Sequence, residues 1–238
     1  MKKNIFVLCY LFFSVSLFGS EPLRAGLFHI VPYAYVDKGK LTGITYDIIQ
    51  SIQKEENITI ETKLLPYKRM LNDLKLGKID FGIFFVSDFS ESFSEKLIPI
   101  YDLETIVIGK KNLKINNHDD LLYLHMATPL GVNYNAKLDK DKQLKITRVK
   151  DYKNAILMLK HNNIDAIIGP KEIIAYQLKL LGMDINTFGK PYVLTTNTAW
   201  IQFSDKSEKK QYKTILKNSA TKLLKSGKID AIIQKYYQ

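Results

Sequence analysis

The spacing of apolar positions changes several times along the chain, and each change marks an element. Leu23 to Ile30 is a largely apolar run and predicts a strand. Tyr33 to Val36, the turn Asp37-Lys38-Gly39-Lys40 and Leu41 predict a small hairpin. Ile44, Ile48, Ile49 and Ile52 recur at helical spacing, and that helix ends near Asn57. Residues 58–64 alternate as a strand does, and Pro66 stops them. A helix over 67–76 follows, with Gly77 at its end and a strand over 79–85. This β, α, β, α, β order predicts an α/β sheet. Residues 87–96 are Ser-rich and predict a loop or short irregular helix. Tyr101 to Gly109 predicts a strand and Lys110 to Asn117 a polar crossing segment. A second series then begins: strand 123–128, loop and short helix 131–138, strand 145–149, helix 152–161, strand 164–168 and helix 171–181. A long extended stretch, 191–203, precedes helices near 205–225 and 228–236.

Two stretches echo each other. Residues 67–80 read YKRMLNDLKLGKID and residues 152–165 read YKNAILMLKHNNID. Each leads into an apolar run, FGIFF or AIIG. A helix-then-strand unit repeated about 85 residues apart predicts two similar α/β lobes. A cleft between two lobes is a preferred place for a small ligand. Asp80 and Asp165 recur at the same point of the echo. Each is read as structural, an Asp at a helix-to-strand turn accepting local backbone hydrogen bonds.

The first residues stand apart from this pattern. Lys2 and Lys3 precede a mostly apolar run, Ile5 to Phe18, which closes at Gly19-Ser20. That arrangement predicts a secretory signal peptide over residues 1–20, too short for a comfortable membrane span of roughly 20 apolar residues. Its removal takes Cys9, the only cysteine, so the exported chain is expected to rely on core burial without disulfides. About 218 residues can bury a sizeable core. The formal net charge of +11 raises nucleic acid or anionic membrane as partners. The lysines are scattered among Asp and Glu without a basic-aromatic cluster, so no nucleic-acid binding is expected.

The order of motifs resembles the bacterial extracellular solute-binding proteins of family 3, the periplasmic subunits of polar amino-acid ABC importers. Val31-Pro32-Tyr33-Ala34-Tyr35 looks like the family's Pro-aromatic-x-aromatic stretch. Gly43-Ile44-Thr45-Tyr46-Asp47 is similar to its Gly-aromatic-x-x-Asp helix start. Tyr67 to Asp80 resembles its aromatic-x-x-Leu-x-x-Leu-x-x-Gly-Lys-x-Asp signature. Pro99-Ile100-Tyr101, Asp120-Leu121 with Gly131, and Ile233-Gln234-Lys235-Tyr236-Tyr237 match later landmarks. The resemblance implies a type II periplasmic-binding-protein-like fold. In it, two lobes, each a mixed β-sheet flanked by helices, are joined by two crossing strands. It implies a discontinuous first lobe near 21–108 and 197–238, and a second near 109–196. It also implies closure about the crossing strands onto a buried solute.

Such a site needs aromatic walls, charged partners for the solute and backbone N–H groups at helix starts. Tyr33 and Tyr35 are candidate walls, or ordinary packing under the hairpin. His29 is a candidate hydrogen-bond partner or a structural histidine. Tyr67 is a further wall candidate. Arg69 is a candidate cation, or a surface arginine clamping a neighbouring loop. Phe84, Phe85 and Ser87 follow the first lobe's central strand, and alternation allows only one of the two phenylalanines to face a cleft. Thr128, Gly131 and Asn133 lie at a strand-to-helix junction of the second lobe. Trp200, the only tryptophan, is expected near the crossing strands.

Two features of amino-acid-binding relatives are missing. Their carboxylate-binding Arg corresponds to a position near Ser92, and their ammonium-pairing Asp to Pro170. Enzyme signatures are also missing: there is no Gly-x-Ser-x-Gly, no His-Glu-x-x-His and no phosphate-cradling glycine loop. The four histidines, at 29, 118, 125 and 161, are not spaced as metal ligands. The expected function is therefore capture of a small polar solute by a monomeric periplasmic protein. The solute would pass to the membrane permease of an ABC transporter, with no cofactor, metal or catalysis. A ligand sensor partnering a membrane receptor, or an exported dehydratase-like enzyme on the same fold, are the alternatives.

Overall fold

The computed structural model describes residues 21–130 and 143–236. The strands are β1 (Leu23–Phe28), β2 (Tyr35–Asp37), β3 (Lys40–Thr42), β4 (Ile60–Leu65), β5 (Phe81–Phe85), β6 (Ser94–Gly109), β7 (His125–Pro129), β8 (Lys145–Val149), β9 (Ala166–Pro170) and β10 (Tyr192–Ser204). The helices are α1 (Ile44–Glu56), α2 (Tyr67–Lys75), α3 (Asp88–Glu91), α4 (Tyr152–Lys160), α5 (Lys171–Leu180), α6 (Tyr212–Lys225) and α7 (Lys228–Lys235), with 3-10 turns at Asp119–Tyr123 and Ile185–Thr187.

One mixed sheet runs β4-β1-β5-β10-β6-β9-β7-β8, and β2-β3 form a separate hairpin. The two halves of this order mirror each other. In the first, β4, β1 and β5 are parallel, and β10 lies antiparallel beside β5. In the second, β8, β7 and β9 are parallel, and β6 lies antiparallel beside β9. The echoed units α2-β5 and α4-β9 occupy equivalent places, which is why their sequences share a period. Long strands β6 and β10 pair with each other from Ser94↔Ser204 to Tyr192↔Val107, so the halves are joined by two crossing strands.

Burial follows the halves. Alternate residues of β1, β5 and β10 meet α1, α6 and α7 in one core that includes Leu27, Ile48, Phe81 and Phe203. The opposite face packs Phe84 under Met70 and Leu74 of α2. In the second half, Ile156 of α4 and Ile174 and Leu178 of α5 cover one face, and Leu121 and Met126 lie in the cluster on the other.

The two echoed aspartates do the same job, and not through local bonds. Asp80 accepts the Arg24 backbone N–H at 2.8 Å, while its own N–H donates to the Arg24 carbonyl at 2.8 Å. Asp165 accepts the His125 N–H at 2.9 Å and donates back to the His125 carbonyl at 2.7 Å. Each therefore ties the start of its strand to the neighbouring parallel strand, far away in sequence. Asp80 is fully buried and also accepts Arg24 Nη2 at 2.7 Å and Ser207 Oγ at 2.8 Å. Asp165 is about a third exposed and accepts Lys110 Nζ at 2.9 Å.

Other differences from the sequence expectation have simple causes. Strand β6 begins at Ser94 rather than Tyr101, because the Ser-rich segment closes early. Ser87 and Ser90 form a reciprocal capping box around the one-turn α3. Helix α6 begins at Tyr212 rather than near 205, because Ser207 in the preceding turn is held by Asp80. The predicted short helix over 131–138 lies outside the described residues, as do the signal-peptide residues.

Burial alone would raise the Asp80 carboxyl, but the Arg24 and Ser207 hydrogen bonds outweigh it and hold its pKa below the usual 3.8. The Lys110 bond, with the His125 N–H, does the same for Asp165. A carboxyl depressed in the folded state stabilises the protein above its unfolded pKa, and that contribution is lost as pH falls through the folded value. The melting temperature is therefore expected to drop below about pH 4, and Asp80→Asn should flatten that drop. Asp80→Ala should cost about 3 kcal/mol in urea unfolding, since it strands a partly buried guanidinium. Asp165→Ala should cost about 1 kcal/mol. Equal costs at the two positions would contradict this assignment.

Candidate solute cleft

In sheets of this kind, ligands bind outside the carboxyl ends of parallel strands, where neighbouring strands diverge. Here those ends are Phe28, Leu65 and Phe85 in the first half and Pro129, Val149 and Pro170 in the second. The segments that follow them carry the candidate residues.

The loop after β1 is pinned to the start of α1. The Ile44 and Thr45 N–H groups donate to the carbonyls of Pro32 and Tyr33 at 3.0 and 2.8 Å, which satisfies donors a helix start leaves open. Gly43 is required there. Its φ is +126°, and a Cβ would stand 2.4 Å from the Tyr33 carbonyl oxygen. This clamp sets Tyr33 in the core, 3% exposed and stacked on Tyr101 at 5.8 Å. The Tyr33 hydroxyl donates to Glu172 Oε2 on α5 at 3.2 Å. Tyr35 is half-buried and shares a 3.1 Å hydrogen bond with the Tyr176 hydroxyl, also on α5. Both tyrosines thus meet the second half of the protein directly. His29 is exposed at the end of β1.

Tyr67 opens α2, 42% exposed, with its ring edge-on to Phe28 at 5.2 Å. Two residues on, Arg69 is exposed, and its Nε donates to Asp73 Oδ1 at 3.1 Å and Oδ2 at 3.3 Å. Asp73 is 7% exposed and braces the guanidinium through Nε, while the Arg69 side chain stays 61% exposed. Phe84 is 1% exposed in the core beneath α2, whereas Phe85 is half-buried at the strand end. Burial thus resolves the pair: Phe84 belongs to packing, and Phe85 stands at the carboxyl end of the interior strand β5. Ser87 is exposed, with its hydroxyl and N–H used in the α3 cap. Thr128 is fully buried in β7. Gly131 and Asn133 lie outside the described residues. Trp200 is half-buried on β10, paired with Phe84 and Pro99 and with Lys96 over its ring at 5.8 Å.

Three residues that the candidate set omits are central to this region: Glu172, Tyr101 and Tyr176. Burial pushes the Glu172 carboxyl up, opposed by its own N–H, the Tyr33 hydroxyl and Lys171. Lys171 is paired with Glu104 of β6 at 2.8 Å. Burial likewise raises the Tyr101 phenol, and burial together with the Tyr176 bond raises that of Tyr35, so both stay protonated. One signal for this surface was present in the sequence. Glu172 and Tyr176 are four apart on α5, beside the stripe of Ile174 and Leu178, and so define a second, adjoining face. Among the described residues, no group of three or more His, Cys, Asp or Glu could hold a metal ion, and no helix is long and apolar enough to cross a membrane.

Paired half-sheets, two crossing strands and carboxyl strand ends that face one another define a type II periplasmic binding protein fold. Residues 26–238 match the model of the bacterial extracellular solute-binding proteins, family 3, and the chain belongs to that family. It is 25% identical over 212 residues to the probable amino-acid-binding protein YxeM of Bacillus subtilis, covering 87% of this chain and 80% of that protein. It is 26% identical over 219 residues to a probable histidine-binding protein of Neisseria gonorrhoeae, covering 87% and 79%. Among solved structures it resembles the second substrate-binding domain of a putative amino acid ABC transporter from Streptococcus pneumoniae. The TM-score there is 0.72 at 18% identity, over 92% of this chain and all of that one.

Phe84→Ala is expected to cost about 3–5 kcal/mol of stability by opening a core cavity. Tyr67→Ala should cost under about 1 kcal/mol, as surface substitutions do. Denaturant midpoints of the two variants check the assignment of one to the core and the other to the open wall.

Proposed function

We propose that this protein captures a small, amino-acid-like polar solute between its two lobes and delivers it to the permease of an ABC importer. The lobes would comprise residues 21–108 with 197–238, and residues 109–196. The protein would be exported and monomeric, and would carry out no chemical step on the solute. The observation that carries this reading is the pairing of β6 with β10 as the bridge between two mirrored half-sheets whose strand ends face one another. Rotation about two strands is a low-barrier way to enclose a ligand. The relatives described above as amino-acid-binding and histidine-binding proteins support the solute class.

The wall would be made by Tyr67, Phe85 and His29 of the first lobe, whereas Thr128, fully buried in β7, would support the facing strand end from beneath. Arg69 would hold a solute carboxylate in place of the arginine that relatives carry near Ser92. Its exposed guanidinium, braced through Nε by Asp73, suits pairing with a carboxylate.

Thermal shift and calorimetry against amino acids, amines, short peptides and organic acids test the reading. A binder at a hundredfold excess over its Kd is expected to add about 2.7 kcal/mol of stability. No binder in the panel would overturn it. Arg69→Ala should weaken binding tenfold or more, as loss of a charge-assisted hydrogen bond does. Unchanged affinity would remove Arg69 from the site.

A further inference from the structure

Helix α5 belongs to the second lobe by its packing. Ile174 and Leu178 are fully buried in that lobe's core. Its neighbouring face does something else. Glu172 receives the Tyr33 hydroxyl at 3.2 Å and Tyr176 meets the Tyr35 hydroxyl at 3.1 Å. Between them, Ile173 packs against the cores of both lobes. One turn further on, Lys179 Nζ donates to the Lys235 carbonyl at the end of α7 at 3.2 Å. Tyr33 is itself anchored in the first lobe, because its carbonyl is bound by α1 and its ring lies on Tyr101. A rotation about β6 and β10 that parts the lobes therefore has to break these contacts together, since neither side can follow the other.

We infer that the Glu172 and Tyr176 face of α5 is a latch that holds the second lobe shut on Tyr33 and Tyr35 and sets how far the lobes lie toward closure. This rests on the reading that solute binding is coupled to lobe closure. The latch contributes to affinity through closure alone, without a solute contact of its own. It also makes closure depend on acidity. The groups facing the Glu172 carboxyl are Tyr33, Tyr101 and Glu104 from the first lobe and the crossing strand, and Lys171 from its own helix. Strand β9 offers no titratable side chain, and the α4 ring nearest it is Tyr152, against Gly169. Lys171 is paired with Glu104, so the strongest influence left on Glu172 is burial, which raises its pKa. Opening exposes Glu172 to water and returns it toward the usual 4.5. A carboxyl raised in the closed state favours closure below the open-state value, and this bias is lost as pH rises through the closed-state value.

The test needs no solute. Spin labels at Lys54→Cys and Lys160→Cys, exposed on opposite lobes, report the closed-to-open ratio as an interlabel distance distribution. In the purified protein that ratio is expected to rise as pH falls from neutral toward the usual carboxyl value of 4.5. Glu172→Gln keeps an acceptor for Tyr33 without a charge, and should remain shut with no pH dependence. Tyr33→Phe should lower the ratio about fivefold to tenfold, the effect of losing one buried hydrogen bond. Tyr35→Phe removes a single half-buried hydroxyl and should lower it about fivefold, so it carries the test if Tyr33→Phe does not fold. Distributions in the tyrosine variants identical to wild type, a wild-type ratio indifferent to pH, or a solely open wild type would each overturn the latch. Failure of every solute to bind would leave these distances readable, and so separates failure of the transport reading from failure of the latch.

Discussion

The architecture depends on one reciprocal contact used twice. Parallel strands cannot be joined by a tight hairpin, so each half needs something besides its ladder to set the strands in register. The echoed aspartate supplies it, giving and receiving a backbone hydrogen bond with the strand beside it: Asp80 with Arg24, Asp165 with His125. In the first lobe the same carboxylate also gathers Arg24 and Ser207, so the turn leading to α6 is tied to the strand that opens the fold. This register decides where the strands end, and the strand ends decide which side chains face the cleft. The unequal burial of the two aspartates makes the first lobe the firmer scaffold.

On that scaffold, the space between the lobes divides into two parts. Near α5 it is closed by direct contact, with paired tyrosines, a buried carboxyl and Ile173 bridging two cores. Around α2 and the end of β5 stand the exposed Tyr67 and Arg69 and the half-buried Phe85. Under the proposed function the second part meets solute and the first part sets the cost of opening. Differential stability of the closed state has to come from contacts present only there, and both parts qualify. The separation also means that affinity can be tuned at α5 without altering what the cleft recognises.

Most of the fold was legible because the sequence keeps its periods. The isoleucines of α1, the alternation of β4 and the echoed units each encode a local period that the tertiary structure respects. What the sequence did not reveal was set by contacts distant in the chain. The partner of Asp80 lies in β1, and nothing near Asp80 announces it. Strand β6 starts seven residues early because Ser87 and Ser90 cap each other. At the site, Arg69 and Tyr67 were legible as polar and aromatic residues at a helix start. For Tyr33 the sequence leaves a wall and packing under the hairpin both open; its hydroxyl is turned to Glu172, and a lone acid at the start of a helix carries no mark of the lobe it will face. Phe84 and Phe85 were separable only as a pair, since alternation tells that they differ but not which is buried.

A crystal structure of the protein with its tightest-binding amino-acid-like solute tests the central claim most directly. The account expects the solute between the carboxyl ends of β1 and β5 on one side and β7 on the other, touching residues of both lobes, with the Tyr33 to Glu172 contact made beside it. A solute held by one lobe alone, or bound away from these strand ends, would contradict the account.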